Sequence, residues 1–185
     1  MNRVVEPIEL ETPRLVLRPY RDDFAKPLLA AARESVGTIG PWMPWCHAGY
    51  SEEDSASWAA RSQLAWREGE EFAFAVFDRA GRFVGGTGIN HVNVLHNLAN
   101  LGYWIRESRQ REGLAVEATV AVAKFGFEVL RLTRIEIVAA EGNRPSRRVA
   151  EKAGARFECL ARNRLFIRGA PVTAAVHSLV PDDLR

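Results

Sequence analysis

Positions 101–115, which read LGYWIRESRQREGLA, are the most informative stretch of this sequence. The strand pattern that ends at Ile105 is followed by a short loop, and the residues from Leu114 to Leu130 carry apolar side chains at the spacing of one buried helix face. At a helix N-terminus, backbone N–H groups without intrahelical partners and the helix dipole together favour a phosphate or pyrophosphate. Gly113 lets an anion approach the backbone closely. The stretch therefore predicts an anion site between a strand and a helix.

Two better-known phosphate loops are missing from the sequence. No G-x-x-x-x-G-K-[ST] run occurs, and Gly85-Gly86-Thr87-Gly88 does not continue into G-x-G-x-x-G, so P-loop and Rossmann folds lack their fingerprints. Arg109 and Arg111 add positive charge to the loop after Ile105. Taken alone, this loop is also compatible with an ordinary connection between a strand and a helix.

Working outward, the hydrophobic pattern predicts seven strands and four helices. The strands are expected at 15–19, 72–77, 83–90, 98–105, 134–140, 157–167 and 172–180, and the helices at 22–35, 51–69, 114–130 and 144–152. The segment from Gly37 to Tyr50 has no periodicity and holds Trp42 and Trp45, which predicts an ordered loop. Residues 1–10 are expected to be a leader. The order of elements indicates a mixed α+β sheet with helices packed on it.

Length and composition favour one soluble globular domain spanning residues 1–185. With 47% hydrophobic and 26% charged residues, such a chain buries a sizeable core without a disulfide or metal. Cys46 and Cys159 form no C-x-x-C pair, and we expect them to be free thiols in a reducing compartment. A single disulfide between them is the alternative. There is no apolar run of about 18 residues and no signal-peptide pattern, so the expected location is the cytoplasm and no membrane contact is predicted.

The small net charge of +2 conceals an asymmetry between the two halves of the chain. Residues 1–100 hold 10 basic and 13 acidic side chains, a net charge of −3, whereas residues 101–185 hold 15 and 10, a net charge of +5. An anionic ligand is therefore expected to meet the second half.

Several short motifs recur along the chain in a characteristic order. They are Thr12-Pro13-Arg14-Leu15-Val16-Leu17-Arg18-Pro19, Trp42-Met43-Pro44-Trp45, Gly102-Tyr103-Trp104-Ile105, Gln110-x-x-Gly113-x-Ala115-x-Glu117-Ala118, Asn143-x-x-Ser146, Glu151-Lys152-x-Gly154 and Ser178-Leu179. Together they resemble the GNAT acyl-CoA N-acyltransferases, and most closely the RimL/RimJ-like branch that acetylates ribosomal-protein N-termini. The resemblance implies a central, mostly antiparallel twisted sheet of about seven strands, splayed at the CoA site and flanked by four helices.

The resemblance also implies a set of cofactor-binding residues, with acetyl-CoA as co-substrate and no metal. It places the CoA pyrophosphate on the backbone of Gln110, Arg111, Glu112, Gly113, Leu114 and Ala115, and pantetheine along Trp104 and Ile105. Asn143 would bond the pantetheine arm, and Ser146 would protonate the departing thiolate. Many members use a Tyr seven residues after the Asn, but that position is Ala150 here. The alternative for Ser146 is an ordinary residue at a helix start.

On the acceptor side the sequence departs from the branch. Leu165 and Asn100 stand where acids are frequent in the family. His91, after a strand beside the expected cleft, is the candidate base, with Glu158 and His177 behind it; the alternative is a solvated loop histidine. His47 and His96 lack metal-ligand spacing.

The tryptophans offer candidate acceptor contacts. Trp42 and Trp45 could bind the acceptor, or simply cover the core. Trp58 and Trp66, eight residues apart on a helix, are expected in the core.

The function implied is acetyl transfer to a primary amine by direct attack in a ternary complex. At pH 7, roughly one-seventh of an α-amine with a pKa near 7.8 is neutral, whereas only roughly one lysine amine in 2,500 is neutral. A site whose catalytic base is weak therefore favours a protein or peptide N-terminus as the acceptor. A small aminoglycoside-like or polyamine acceptor is the alternative.

Other function classes are a basic nucleic-acid-binding protein, which the pI of 8.7 disfavours, and a non-catalytic acyl-CoA-binding protein. Monomer and homodimer are both left open.

Overall fold

The computed structural model describes residues 4–184, and the described strands form one sheet in the order β1-β2-β3-β4-β5-β6-β8-β7. The strands are β1 (Leu10–Glu11), β2 (Leu15–Pro19), β3 (Phe72–Asp78), β4 (Phe83–Asn93), β5 (Leu98–Ile105), β6 (Arg134–Ala140), β7 (Arg156–Ile167) and β8 (Ala170–Leu179). Every pairing is antiparallel except that of β5 with β6. The α+β fold predicted from the sequence is confirmed.

Five helices accompany the sheet in the described chain: α1 (Ala25–Glu34), α2 (Val36–Ile39), α3 (Glu52–Glu68), α4 (Leu114–Glu128) and α5 (Arg144–Lys152). Ser51 caps α3 in a reciprocal capping box with Asp54, and Gly69 ends the helix in the left-handed conformation at φ 70°. The side chain of Asn143 caps α5 by accepting a hydrogen bond from the Ser146 N–H at 3.2 Å. These local signals are why the starts and ends predicted for α3 and α5 agree with the structure to within one residue. By contrast, α1 begins at Ala25 rather than at residue 22, and α4 ends at Glu128 rather than at residue 130.

The two faces of the sheet carry different cores, and the alternation of side chains along β3 shows this directly. Phe72 and Phe74 are fully buried on the face covered by α4, where Trp66 and Phe125 pack against them at ring-centroid distances of 5.0 to 5.7 Å. Ala73, Ala75 and Phe77 point to the other face, where they join the cluster that contains residues of α1. A strand buried on both faces reads as a continuous apolar run, which is what Phe72–Asp78 shows.

The sheet opens between β5 and β6. Their parallel pairing covers only Leu98 to Asn100 against Arg134 to Glu136. Beyond that point β5 stays paired with β4 as far as Ile105, and β6 stays paired with β8 as far as Ala140. The two strands therefore diverge toward the ends that lead into α4 and α5, and a gap forms at the middle of the sheet.

Three further details of the sequence-based prediction were wrong. The sheet has eight strands rather than about seven, because Leu10, the last residue of the expected leader, and Glu11 pair with Leu17 and Val16. The segment 37–50 is not wholly irregular, since α2 forms one helical turn in it. β4 continues to Asn93, so His91 lies within the strand rather than after it. A two-residue strand and a single turn are too short for periodicity to reveal.

The expected leader spans residues 1–10, of which 1–3 lie outside the described residues. Within its described part, the Val5 carbonyl accepts a hydrogen bond from the Trp66 indole N–H at 2.9 Å. In residues 4–184 no helix is both long and apolar enough to span a membrane.

His177 on β8 gives the fold a testable pH dependence. Its side chain is 0% exposed, and neither ring nitrogen has a hydrogen-bond partner in the described chain. Burial lowers the pKa of His177; the Glu151 carboxylate 3.8 Å from Nε2 opposes this shift, and Arg147 adds to it. Because the folded pKa lies below the unfolded value of about 6.5, this contribution to stability is complete above about pH 6.5 and decreases as the pH falls.

When the pH is lowered from 7 to 5, we expect the unfolding free energy of His177→Leu to decrease less than that of the wild type. Urea unfolding at both pH values measures this difference. His96→Leu, at an exposed position, is the matched control and should keep the wild-type pH dependence. An unchanged pH dependence in His177→Leu would contradict this assignment.

Candidate active site

At the start of α4, backbone N–H groups have no hydrogen-bond acceptor within the helix. Gly113 precedes the helix at φ 79°, Arg111 is also left-handed at φ 66°, and no described side chain caps the helix. The N–H groups of the first turn, beginning at Leu114, have no intrahelical acceptors. The loop predicted to bind an anion therefore has the expected geometry, with a helix start pointing out of the sheet beside the end of β5.

This helix start is held by residues far away in sequence. Glu117 on the first turn of α4 accepts hydrogen bonds from the Thr12 hydroxyl at 2.6 Å and from the Arg14 backbone N–H at 2.8 Å. The Arg14 guanidinium pairs with the same carboxylate at 2.6 Å and donates to the Glu112 carbonyl at 2.8 Å. These contacts anchor the first turn of α4 to the segment that leads into β2.

The other end of the loop is fixed by α1. Glu34 accepts hydrogen bonds from the Arg106 guanidinium and from the Ser108 backbone N–H, the latter at 2.8 Å. The pairing with Arg106 is the main reason that the pKa of Glu34 is lowered to about 2. Ser35 accepts the Glu107 N–H at 3.0 Å, and the Gln110 amide donates to the Ile105 carbonyl at 3.0 Å. The loop is thus anchored on both sides before any ligand binds.

The two arginines predicted to add charge to the loop differ. Arg109 is paired with Asp78 at 2.8 Å and Glu112 at 2.9 Å, so its charge is neutralised within the protein. Burial alone would raise the pKa of Asp78, but hydrogen bonds from Arg82 and Arg109 lower it to about 2. Arg111 is exposed. Arg109 therefore stabilises the loop, and Arg111 is the one of the two that faces solvent.

Tyr103 connects the two sides of the gap in the sheet. Its hydroxyl donates to the backbone carbonyl of Ser146 at 2.7 Å and accepts a hydrogen bond from the Ser146 hydroxyl at 3.2 Å. Burial raises the pKa of Tyr103 to about 12, so the phenol stays protonated at neutral pH. In the sequence, Tyr103 stood out only as part of a motif, and its contact with Ser146 was not predicted. Ser146 lies 43 positions further on, and only the fold brings the two residues together.

A cavity of about 490 Å³ lies on the opposite face of the sheet from α4. The aromatic residues along it are Tyr20, Trp45, Tyr50, Trp58, Tyr103 and Trp104. Trp45 lines the cavity as predicted for an acceptor contact, whereas Trp42 is not among its lining residues and lies over Gly142, where an added Cβ would be 3.6 Å from the indole. Trp58, expected in the core, lines the cavity, whereas Trp66 is buried in the core.

The predicted base does not lie in this cavity. His91 is exposed and lines a separate, smaller cavity of about 330 Å³ with Glu70 and Glu71. Glu158, placed behind it by the sequence, is paired with Arg134 and accepts the Ser178 hydroxyl at 2.6 Å. The structure therefore does not bring His91 together with Ser146.

The remaining positions singled out by the sequence give neither an acid nor a metal site. Asn100, where an acid is frequent in the family, donates its side-chain amide to Asn90 at 2.8 Å. Leu165 lies on β7, near the far edge of the sheet. No group of three His, Cys, Asp or Glu residues in the described chain is arranged to hold a metal ion.

Comparison with known proteins identifies the family. Residues 14–156 match the family described as acetyltransferase (GNAT) domain. YdaF of Bacillus subtilis (strain 168) is 30% identical over 147 residues, which are 77% of this chain and 78% of YdaF. The ribosomal-protein-serine acetyltransferase of Escherichia coli (strain K12) is 24% identical over 156 residues, 84% of this chain and 87% of that protein.

Structural comparison agrees. The structure of Mycobacterium smegmatis RimJ in complex with CoA-disulfide superposes with a TM-score of 0.85 at 26% identity, covering 96% of this chain and 88% of that one. The family match covers most of the sequence, and the sheet opens between β5 and β6 as the resemblance implied. The chain belongs to the GNAT family of N-acetyltransferases, and ribosomal-protein N-acetyltransferases of the RimL/RimJ type are among its relatives.

Proposed function

We propose that this chain transfers the acetyl group of acetyl-CoA to a primary amine by direct attack while both substrates are bound. The observation that carries the proposal is the gap between β5 and β6, which is bordered by the start of α4 and by Ser146 on α5. Such a gap admits an extended thioester arm from one face of the sheet and an acceptor from the other. Holding both reactants together removes most of the entropic cost of a bimolecular reaction.

The proposed CoA site uses the residues expected from the sequence. The pyrophosphate binds the backbone N–H groups between Gln110 and Ala115, and the pantetheine arm runs along Trp104 and Ile105. Asn143 uses its side-chain oxygen to cap α5, so its amide nitrogen is the group left to donate to the pantetheine. A backbone N–H of the strand around Tyr103 stabilises the oxyanion.

The hydrogen bond from the Ser146 hydroxyl to Tyr103 supports a role for Ser146 as the proposed acid. The amine nitrogen attacks the thioester carbonyl, the C–S bond breaks, and the departing thiolate takes the Ser146 hydroxyl proton. In the free protein that proton points at Tyr103 Oη, so it must turn from the phenol to the sulfur. The Tyr103 phenol, 3.2 Å away, then returns a proton to Ser146, and solvent restores the phenol after taking the surplus proton of the amine.

The proposed acceptor is a primary amine. One relative, from Escherichia coli, is a ribosomal-protein-serine acetyltransferase. A protein N-terminal α-amine suits a site in which the predicted base lies outside the large cavity, because a useful fraction of an α-amine is neutral at pH 7. A small-molecule amine is the second candidate, and the size and aromatic lining of the cavity favour it. The basic second half is proposed to meet CoA phosphates rather than nucleic acid.

Binding and turnover test this function separately. We expect calorimetry to show one acetyl-CoA bound per chain, and a thiol-release assay to show turnover that depends on an added amine. Absence of acetyl-CoA binding would contradict the proposed function. Binding without turnover on peptides, polyamines or aromatic amines would indicate a non-catalytic acyl-CoA-binding protein.

A further inference from the structure

The floor of the 490 Å³ cavity is a strip of backbone with almost no side chains. Ala73 on β3 pairs with Gly88 on β4, and Gly88 pairs with Gly102 on β5. One step along the sheet, Ala75 pairs with Gly86. Because these residues lie side by side on neighbouring strands, the face of the sheet is flat at this point, and the cavity above it has the shape of a slot.

The walls of the slot are aromatic rings in edge-to-face contact. The Trp45 ring lies 5.2 Å from that of Trp104 and 5.6 Å from that of Tyr50, and the Tyr20 ring lies 5.9 Å from that of Trp58. Each ring is therefore held by a neighbour before a ligand enters. A rigid aromatic wall of this kind binds flat apolar groups with little loss of side-chain entropy.

Two glycines of the floor serve different purposes. A Cβ added at Gly86 would lie 2.7 Å from Trp104 Nε1 and 2.8 Å from the Tyr20 hydroxyl, so this glycine lets the walls approach the floor. A Cβ added at Gly102 would meet nothing closer than the Asn90 amide at 3.9 Å, because it would project into open space. A larger residue at 102 would thus fill the slot without displacing its walls.

Charged groups line the same cavity. The carboxylates of Asp54 and Glu71 are among its lining residues, and hydrogen bonds from Ser51 lower the pKa of Asp54, which keeps it ionised. The Arg61 guanidinium lies 5.9 Å from the Trp58 ring. Two carboxylates against the one guanidinium of Arg61 leave a net negative charge in a largely apolar slot, which favours entry of a protonated amine attached to an apolar body. The ammonium proton passes to solvent before the neutral amine attacks.

We propose that the acceptor is an aromatic primary amine whose ring occupies this slot, an inference that rests on the proposed acetyl transfer. The slot borders β5 at Gly102, Tyr103 and Trp104, where that strand has left β6, so an amine on a short linker from the ring reaches the gap. A serine side chain, the residue in the name of the Escherichia coli relative, would leave most of the slot empty. The aromatic walls therefore set a different acceptor preference.

The test compares three amines with acetyl-CoA: 2-phenylethylamine, 2-cyclohexylethylamine of equal carbon number, and a peptide amide that begins with serine. We expect kcat/KM for 2-phenylethylamine to exceed that for the other two by at least about fivefold. In Gly102→Val the advantage should fall to within about twofold while acetyl-CoA affinity is kept. Gly37→Ala, at a glycine whose added Cβ meets nothing within 4 Å and which lies outside the slot, is the control. Trp58→Leu, at a partly exposed position on α3, provides a second disruption if Gly102→Val does not fold.

Direct binding separates the failure of this inference from failure of the proposed function. Quenching of tryptophan fluorescence by 2-phenylethylamine should saturate in the wild type and in Gly37→Ala, and should weaken in Gly102→Val and Trp58→Leu. Loss of acetyl-CoA binding with retained 2-phenylethylamine binding would refute the transfer reaction but support the slot. Equal or better use of the serine peptide, or an aromatic preference unchanged in both slot variants, would overturn the inference.

Discussion

Replacing Ser146 with alanine is expected to lower kcat for acetyl transfer by about 100-fold, with acetyl-CoA affinity unchanged within about twofold. The magnitude is the lower end of what a positioned general acid contributes. The hydroxyl would matter in the transition state, when charge develops on sulfur, and little in the ground state, so kcat should fall without a matching rise in KM. Steady-state thiol release and calorimetric binding of acetyl-CoA measure the two quantities.

Tyr103→Phe is the companion variant for this prediction. It removes the phenol that accepts the Ser146 proton but leaves the serine hydroxyl in place. We expect a smaller loss of kcat than in Ser146→Ala, because Ser146 retains its own proton for the sulfur and lacks only the group that returns one. Full activity of Ser146→Ala would exclude Ser146 as the acid. A larger defect in Tyr103→Phe than in Ser146→Ala would reverse the order of the two groups.

The elements around the gap could be predicted from the sequence because their signals are local. The bounds of β5, β6 and α5 agree with the expected strands and helix to the residue. The two strands are indicated by apolar patterning over consecutive residues. The start of α5 is indicated by Asn143, which precedes a first helical turn that contains proline. The loop between β5 and α4 was placed correctly for the same reason.

The contacts that organise the site could not be predicted, because each joins residues that only the fold brings together. Glu34 and Arg106 are 72 positions apart, and Arg14 and Glu117 are 103 apart. Trp58 has the helical spacing of a core residue, and its place in the slot depends on how α3 packs against α1 and β3. His91 was expected after a strand that ends at Asn90, but β4 continues to Asn93, and His91 lines the smaller cavity. Local patterns do not specify such partners.

Gly113→Val is the sharpest test of the proposed phosphate site. The left-handed backbone at residue 113, with φ 79°, costs a β-branched residue about 1–2 kcal/mol. The added Cβ would lie 3.5 Å from the Arg14 guanidinium, so we expect the valine methyl groups to crowd the start of α4. Charge-assisted hydrogen bonds from backbone N–H groups to phosphate oxygens are worth about 1.5–3 kcal/mol. Losing one of them should weaken acetyl-CoA binding by about 30-fold, as measured by calorimetry.

The control for this prediction is Gly169→Val in the turn between β7 and β8. Gly169 has nearly the same φ, 80°, and an added Cβ would meet nothing within 4 Å, so the backbone strain is matched while the site is different. Both variants should lose similar thermal stability, but only Gly113→Val should lose affinity for acetyl-CoA. Equal affinity in the two variants would mean that the phosphates bind away from the start of α4, whereas a difference confined to Gly113→Val would separate ligand contact from strain.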